Sequence, residues 1–588
     1  MRKAILAGCA FAALSCQPAL AESSSADYYS ARFDSTALPQ QLDQTDRAYF
    51  RSIFAAIHDQ QWDRASALIA ERENSPDKGL LHEIAKAELY LDANSPRVEL
   101  GPLMALLSES SDIPQAEQLG RLAEKRGAMR LPDRPQTRQL VSFAPSPRRG
   151  KPRSVNDGSM SSSYAGRIQD RIVNDDPQGA RSLLEEVESS LSESTLTEWR
   201  QKVAWSYYIE NQDHEALSMA RLAATGSGAW LADAHWVAGL AAWRLDDCSG
   251  ASQAFTEAAR NATNEELRAA SFYWASRAQT RCRRPDLVAA SLQGASQYGE
   301  TFYGLLAQEQ LGLDRSETLS RGTVSDSDWK VLQGRPNVRR ALALNEIGES
   351  QLADETLRHD ARIAGPEAYQ PLLHLARELG MVQTQLWMAH NGPSGSRPEE
   401  YARFPNPRWA PRDGWRVDPA LVYAHSLQES QFQSNARSPA DARGLMQVRP
   451  GTAQDMARGR GESIAASDLY QPAVNLEYGQ RYLEELRDMP QTQGLLPKVI
   501  AAYNAGPAPV GRWNDEVRDQ GDPLLFIESI PYYETRAYVG IILRNYWMYE
   551  KQAGVHSQSA LGLAQGLWPR FPRTDGIELV QLGNSGRP

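Results

Sequence analysis

Apolar residues return every three to four positions over most of this chain, the spacing of helices that bury one face. Tyr49, Ile53 and Ile57, then Trp62, Ala65, Leu68 and Ile69, set the pattern within residues 26–130, with short turns of Asp, Asn, Gly and Pro between segments. Strand-like alternation is not evident. Residues 131–163 are rich in Pro, Arg and Ser and cannot continue a packed helix. They read as a linker or long loop, either a solvated connection or a basic arm contacting an anionic polymer. From residue 164 to 312 the helical spacing returns with a repeat, YYIENQDHEALSMARLAA being echoed by AAWRLDDCSGASQAFTEAA, so that Ala216 aligns with Ala251. A period of about 35 residues is the size of a helix-turn-helix unit that buries its apolar face only by stacking on the next. The pattern runs on through residues 301–312 and 339–379, fades near 392–409, and restarts close to Trp415, where Asp418-Pro419 supplies an N-cap and a first-turn proline.

The expected fold is therefore all-α. A helical superhelix, or solenoid, occupies 22–390, a linker 391–414, a second mostly helical domain 415–552 and a tail 553–588. At 588 residues the chain is too long for one core, and 41% hydrophobic with 23% charged residues is ordinary for a packed globular protein. The net charge of -10, with both signs interspersed, argues against nucleic acid as a partner. The N-terminus reads as a signal peptide over residues 1–21: Arg2 and Lys3, an apolar run over 4–14, and the small-x-small site Ala19-Leu20-Ala21. Export of a soluble protein is expected, with lipoprotein processing at Cys9 or Cys16 as the alternative. No later stretch approaches the roughly 20 apolar residues of a membrane helix. Cys248 and Cys282 would remain after cleavage, and a disulfide and two buried thiols are both compatible with that. Two cysteines and nine scattered histidines suggest no metal site, and no cofactor is expected.

Chemistry concentrates in the second domain. Val422, His425 and Glu429 fall on one face of the helix that Asp418 starts. Glu429 lies near its C-terminal end, where the dipole and the apolar surroundings both disfavour a carboxylate and should raise its pKa. A glutamic acid still protonated near neutral pH is what glycosidic general-acid catalysis needs. From this position alone, a surface glutamate closing a helix would be the better description.

Three ordered motifs change that. Glu429-Ser430, Phe432, Ser438 and Gly444-Leu445-Met446-Gln447 make the first, Ala502-Tyr503-Asn504-Ala505-Gly506 the second, and Glu528-Ser529-Ile530-Pro531-Tyr532-Tyr533-Glu534-Thr535-Arg536 followed by Tyr538-Val539 the third. In these the chain resembles the soluble periplasmic lytic transglycosylases, relatives of goose-type lysozyme that cleave peptidoglycan. That family's N-terminal superhelix, shaped like a ring or horseshoe, suits residues 22–390, where TFYGLLA is the specific match.

The resemblance implies a lysozyme-like catalytic domain and a periplasmic enzyme acting on glycan strands, with the solenoid free to engage other cell-wall enzymes. It implies that Glu429 protonates the oxygen between N-acetylmuramic acid and N-acetylglucosamine, then accepts the proton of the muramic C6 hydroxyl as it attacks C1, leaving a 1,6-anhydro end. Ser438 and Gln447 would line the cleft, Met446 would form an adaptable wall, and Tyr503 would set its hydroxyl near Glu429 or the acetamido group. Asn504 would fix a loop, and Glu534 would be ionised and organise the site, with Arg536 and Tyr538 holding it or simply packing their helix. The chain departs from the pattern at Leu427, where Arg is common, at Asp441, where Gly is frequent, and at Arg449, where an apolar residue is usual. Asp441 reads as a turn former, and Arg449, if it faces the cleft, could grip a lactyl or peptide carboxylate. A hydrolytic muramidase and a catalytically silent wall-binding scaffold are the alternative functions.

Overall fold

The structure, a computed structural model, describes residues 25–30, 38–313, 324–572 and 579–582; the expected signal segment 1–21 lies outside the described residues. Among the described residues the strands are two-residue pairs and nearly all regular structure is α-helix, as the periodicity requires. None of these helices is long and apolar enough to cross a membrane.

The sequence repeat is a structural one. Asp213–Ala223 and Cys248–Asn261 are successive second helices, and the aligned Ala216 and Ala251 are fully buried between pairs. Each turn before a second helix uses one left-handed residue: Asn211 (φ 58°), Asp246 (φ 61°) and Arg283 (φ 57°). Asn and Asp tolerate that region through local hydrogen bonding, so two of these three turns are written in residue types suited to them. Cys248 and Cys282 form a disulfide across adjacent turns, with Cα atoms 5.5 Å apart, which settles the choice left open by the sequence.

The helical region is not one uniform stack. Helices from Gln44–His58 to Ala116–Lys125 share a core with those from Pro336–Ile347 to Val382–His390, through Phe50, Ile53, Leu103, Leu342 and Leu372. Asp112 joins the two groups, its carbonyl accepting from Asn337 and contacting His359, and its carboxylate pairing with Arg340 at 2.7 Å. The intervening repeats share a second core with the C-terminal domain.

Residues 131–163 are a strap rather than a free linker. Val141–Ser142 pairs antiparallel with Asn391–Gly392. Arg544 donates to the Pro147 carbonyl at 2.5 Å, and Arg149 pairs with Glu528 at 2.5 Å. Residues 391–414 are likewise tied down, Tyr549 donating to the Pro405 carbonyl and Tyr423 to that of Trp409. The described part of the tail touches both regions: Gln558–Ala564 packs on Phe302–Gln310 of the superhelix, and buried Trp568 donates to the Gly521 carbonyl of the second domain.

Candidate active site

Pro419–Ser430 is the helix expected from Asp418, whose carboxylate accepts from the Ala420 amide at 2.9 Å and from the Tyr546 hydroxyl at 2.7 Å. Its apolar face is buried in the domain core. It ends where Gln431 (φ 51°) and Phe432 (φ 59°) turn left-handed, which leaves Glu429 half-buried in its last turn. Burial is the main force on this carboxyl and pushes its pKa up to about 7, with the Glu534 carboxylate adding to the rise. A 2.5 Å hydrogen bond donated by the Tyr538 hydroxyl to Oε1 opposes them. The expected direction holds, though enclosure contributes more than the helix end invoked from sequence.

Tyr538 comes from Tyr533–Gln552, the long helix packed on Pro419–Ser430. Its hydroxyl also meets Nδ1 of the fully buried His425 at 2.9 Å. Tyr538 thus serves Glu429 and not Glu534. Arg536 turns the other way: its guanidinium lies 4.0 Å from the centroid of the Trp205 ring of the solenoid and donates to the Glu528 carbonyl. Glu534 is exposed in the first turn of the same helix, close enough to act electrostatically on Glu429.

The loop after Glu429 is built mostly from its own backbone. Ser430 donates to the Leu445 carbonyl at 2.7 Å, and the Ser438 hydroxyl accepts from the Ala442 amide. Gln447, at φ 50°, donates its side-chain amide to the Gly444 carbonyl at 2.9 Å. Gly444 has φ 70°, and a Cβ there would sit 2.2 Å from the Leu469 carbonyl oxygen, so only glycine fits. Fully buried Asn475 pins the turn, accepting from the Met446 amide and donating to the Arg443 and Leu469 carbonyls. The Met446 side chain is itself fully buried, its sulfur against Gly479, so what this residue offers the site is its carbonyl. That carbonyl accepts from the Tyr503 hydroxyl at 2.8 Å, and the Tyr503 ring lies 4.6 Å from that of His425. Asn504 accepts from Thr535 at 2.6 Å, which ties the end of Leu496–Ala505 to the start of the Glu534 helix by a side-chain bond. Asp441 (φ 61°) pairs with Arg437 and Arg443 in its turn, and exposed Arg449 precedes Pro450–Arg458.

Glu429, Tyr503, Asn504 and Glu534 are therefore brought together, while Ser438 and Gln447 shape the adjoining loop. Tyr538, His425, Thr535 and Asn475 were not foreseen in these contacts. For His425 and Tyr538 a signal existed, since a polar residue on an otherwise buried face needs a partner.

Residues 410–526 match the family described as the transglycosylase SLT domain. The chain carries a transglycosylase SLT domain over those residues. A Haemophilus influenzae relative is 33% identical over 226 residues, 38% of this chain and 33% of its own length. The soluble lytic murein transglycosylase of Escherichia coli K12 is 34% identical over 132 residues, 22% of this chain and 20% of that protein. The chain thus matches between about a fifth and a third of the length of these curated relatives. The fold likeness is wider. The 70 kDa soluble lytic transglycosylase of Escherichia coli superimposes with a TM-score of 0.52 at 16% identity, over 90% of this chain and 100% of that one. Lytic transglycosylase Slt of Pseudomonas aeruginosa gives 0.50 at 18% identity over 87% of each chain. Superhelix and lysozyme-like SLT domain are both within that likeness.

Proposed function

We propose that this protein is a lytic transglycosylase that cuts the β-1,4 bond between N-acetylmuramic acid and N-acetylglucosamine in peptidoglycan. The observation that carries the reading is Glu429, a carboxyl raised to about 7 and gripped at one oxygen by Tyr538. Half of such a group is protonated near neutral pH, so it can give a proton to the leaving oxygen and afterwards take one back. With the muramic C6 hydroxyl as nucleophile, C1–O6 forms as the glycosidic bond breaks. The hydroxyl proton passes to Glu429, and no water is consumed. The Glu534 side chain, exposed in the first turn of its helix, would favour the developing positive charge at C1. Arg449, exposed at the rim, and the loop of Ser438 and Gln447 would meet the sugar substituents. The Cys248–Cys282 disulfide supports work in an oxidising compartment such as the periplasm, reached by a signal over residues 1–21. The solenoid would offer its surface to other cell-wall enzymes.

Mass spectrometry of muropeptides released from purified sacculi tests the reaction. Anhydro ends, lighter by one water, are expected; ends carrying that water would make the enzyme a muramidase. Glu429→Gln should bind sacculi yet lose about 10²–10⁴-fold in turnover.

A further inference from the structure

His425 is a histidine in a place that suits an apolar residue. It is fully buried on the inner face of Pro419–Ser430, one turn before Glu429. Its titratable neighbours are Tyr538, the Tyr503 ring at 4.6 Å with Tyr482 behind it, and Glu429 and Glu534 beyond the Tyr538 hydroxyl. No cation is among these groups, and burial holds the ring neutral, with a pKa lowered to about 3.

Counting protons then fixes the tautomer. While Glu429 is a carboxylate, the Tyr538 hydroxyl gives its one proton to Oε1 at 2.5 Å, its shorter contact. The 2.9 Å contact with His425 Nδ1 must therefore use the imidazole's own proton, Nδ1–H donating into the hydroxyl oxygen. Nε2 is left as a bare acceptor, and that atom is the buried one with no partner. An unpaired acceptor is the commoner of the two defects, since orphaned buried N–H groups are rare.

We propose that His425 is a positioning residue that locks the Tyr538 proton onto Oε1 of Glu429, so that Oε2 is the oxygen that exchanges the catalytic proton with the sugar. The inference rests on the proposed function. A hydroxyl that accepts a hydrogen bond is a stronger donor through it. Without His425 the Tyr538 hydroxyl rotates about its C–O bond and grips the carboxylate less firmly.

A double-mutant cycle on the full chain, read as anhydromuropeptide release against pH, tests this. His425→Met should lower kcat about tenfold with KM nearly unchanged and move the basic limb of the profile to higher pH. His425→Gln, which keeps an N–H donor, should recover most of the loss. In a Tyr538→Phe background, His425→Met should cost nothing further. The proposal is overturned if His425→Met costs the same factor in both backgrounds, or leaves kcat and the limb unmoved. If His425→Met does not fold, ¹⁵N NMR of histidine-labelled wild type decides: a neutral Nδ1–H ring from pH 5 to 8 supports the proposal, and an Nε2–H ring overturns it. Turnover that survives Glu429→Gln would instead overturn the proposed function, whatever the cycle shows.

Discussion

Enclosure of Glu429 makes its carboxyl both an acid and a liability. Its pKa stands at about 7 in the folded chain, above the ordinary 4.5, so between those values the folded state binds more protons than the unfolded one. Stability from this group is complete below the unfolded pKa and is lost as pH rises through the folded one, a change of up to about 3 kcal/mol. Glu429→Gln should therefore unfold at a higher temperature than wild type at pH 8 and at nearly the same temperature at pH 4, as differential scanning calorimetry at the two pH values would record. Wild-type turnover should fall off above pH 7 in the same window. The direction of this shift could be read from a glutamate closing an apolar-faced helix. Its partners could not, because Tyr538 lies more than a hundred positions away in the chain and only the packing of two helices brings its hydroxyl to Oε1. Arg536 shows the same limit: its motif was visible, but whether it faced Glu534 or Trp205 depended on the solenoid's position.

At the scale of elements, the motif after Glu429 is legible because backbone geometry dictates its residues. Gly444→Ala forces a side chain into the left-handed region and into the Leu469 carbonyl. Chemical denaturation should show a loss of about 2–4 kcal/mol, with the loop that flanks Glu429 disturbed and turnover reduced. Met446 was harder to place, since a thioether suits a cleft wall and a core equally and only the close approach of Gly479 decides between them. The repeats were readable from the aligned Ala216 and Ala251. That their turns share a left-handed residue was not, Arg283 being a poor sign of one. Removing the staple between two such turns with Cys248→Ser and Cys282→Ser should cost about 2–4 kcal/mol. The reduced wild type should melt at the same temperature as the double variant.

For the whole molecule, the strap and the third motif hold solenoid and SLT domain together. Glu528, almost fully buried, accepts from Tyr303 at 2.8 Å and pairs with Arg149 at 2.5 Å, while Ser529 meets the Tyr208 hydroxyl at 2.8 Å. TFYGLLA and the Glu528-Ser529 pair were recognisable for one physical reason: they are two halves of one contact. Composition identified the strap only as something other than helix, because it is held by its own backbone, which takes hydrogen bonds from side chains such as Arg544 and Tyr533, and by a distant carboxylate. Glu528→Ala leaves half-buried Arg149 without its ion-pair partner and should destabilise by about 3 kcal/mol. Replacing both partners, with Glu528→Gln and Arg149→Met, should restore much of that in urea titrations. The joint also bears on how such a chain can vary over time. An SLT domain exchanged alone would arrive with a glutamate and no tyrosine or arginine to receive it, so the two sides of this border have to be inherited together.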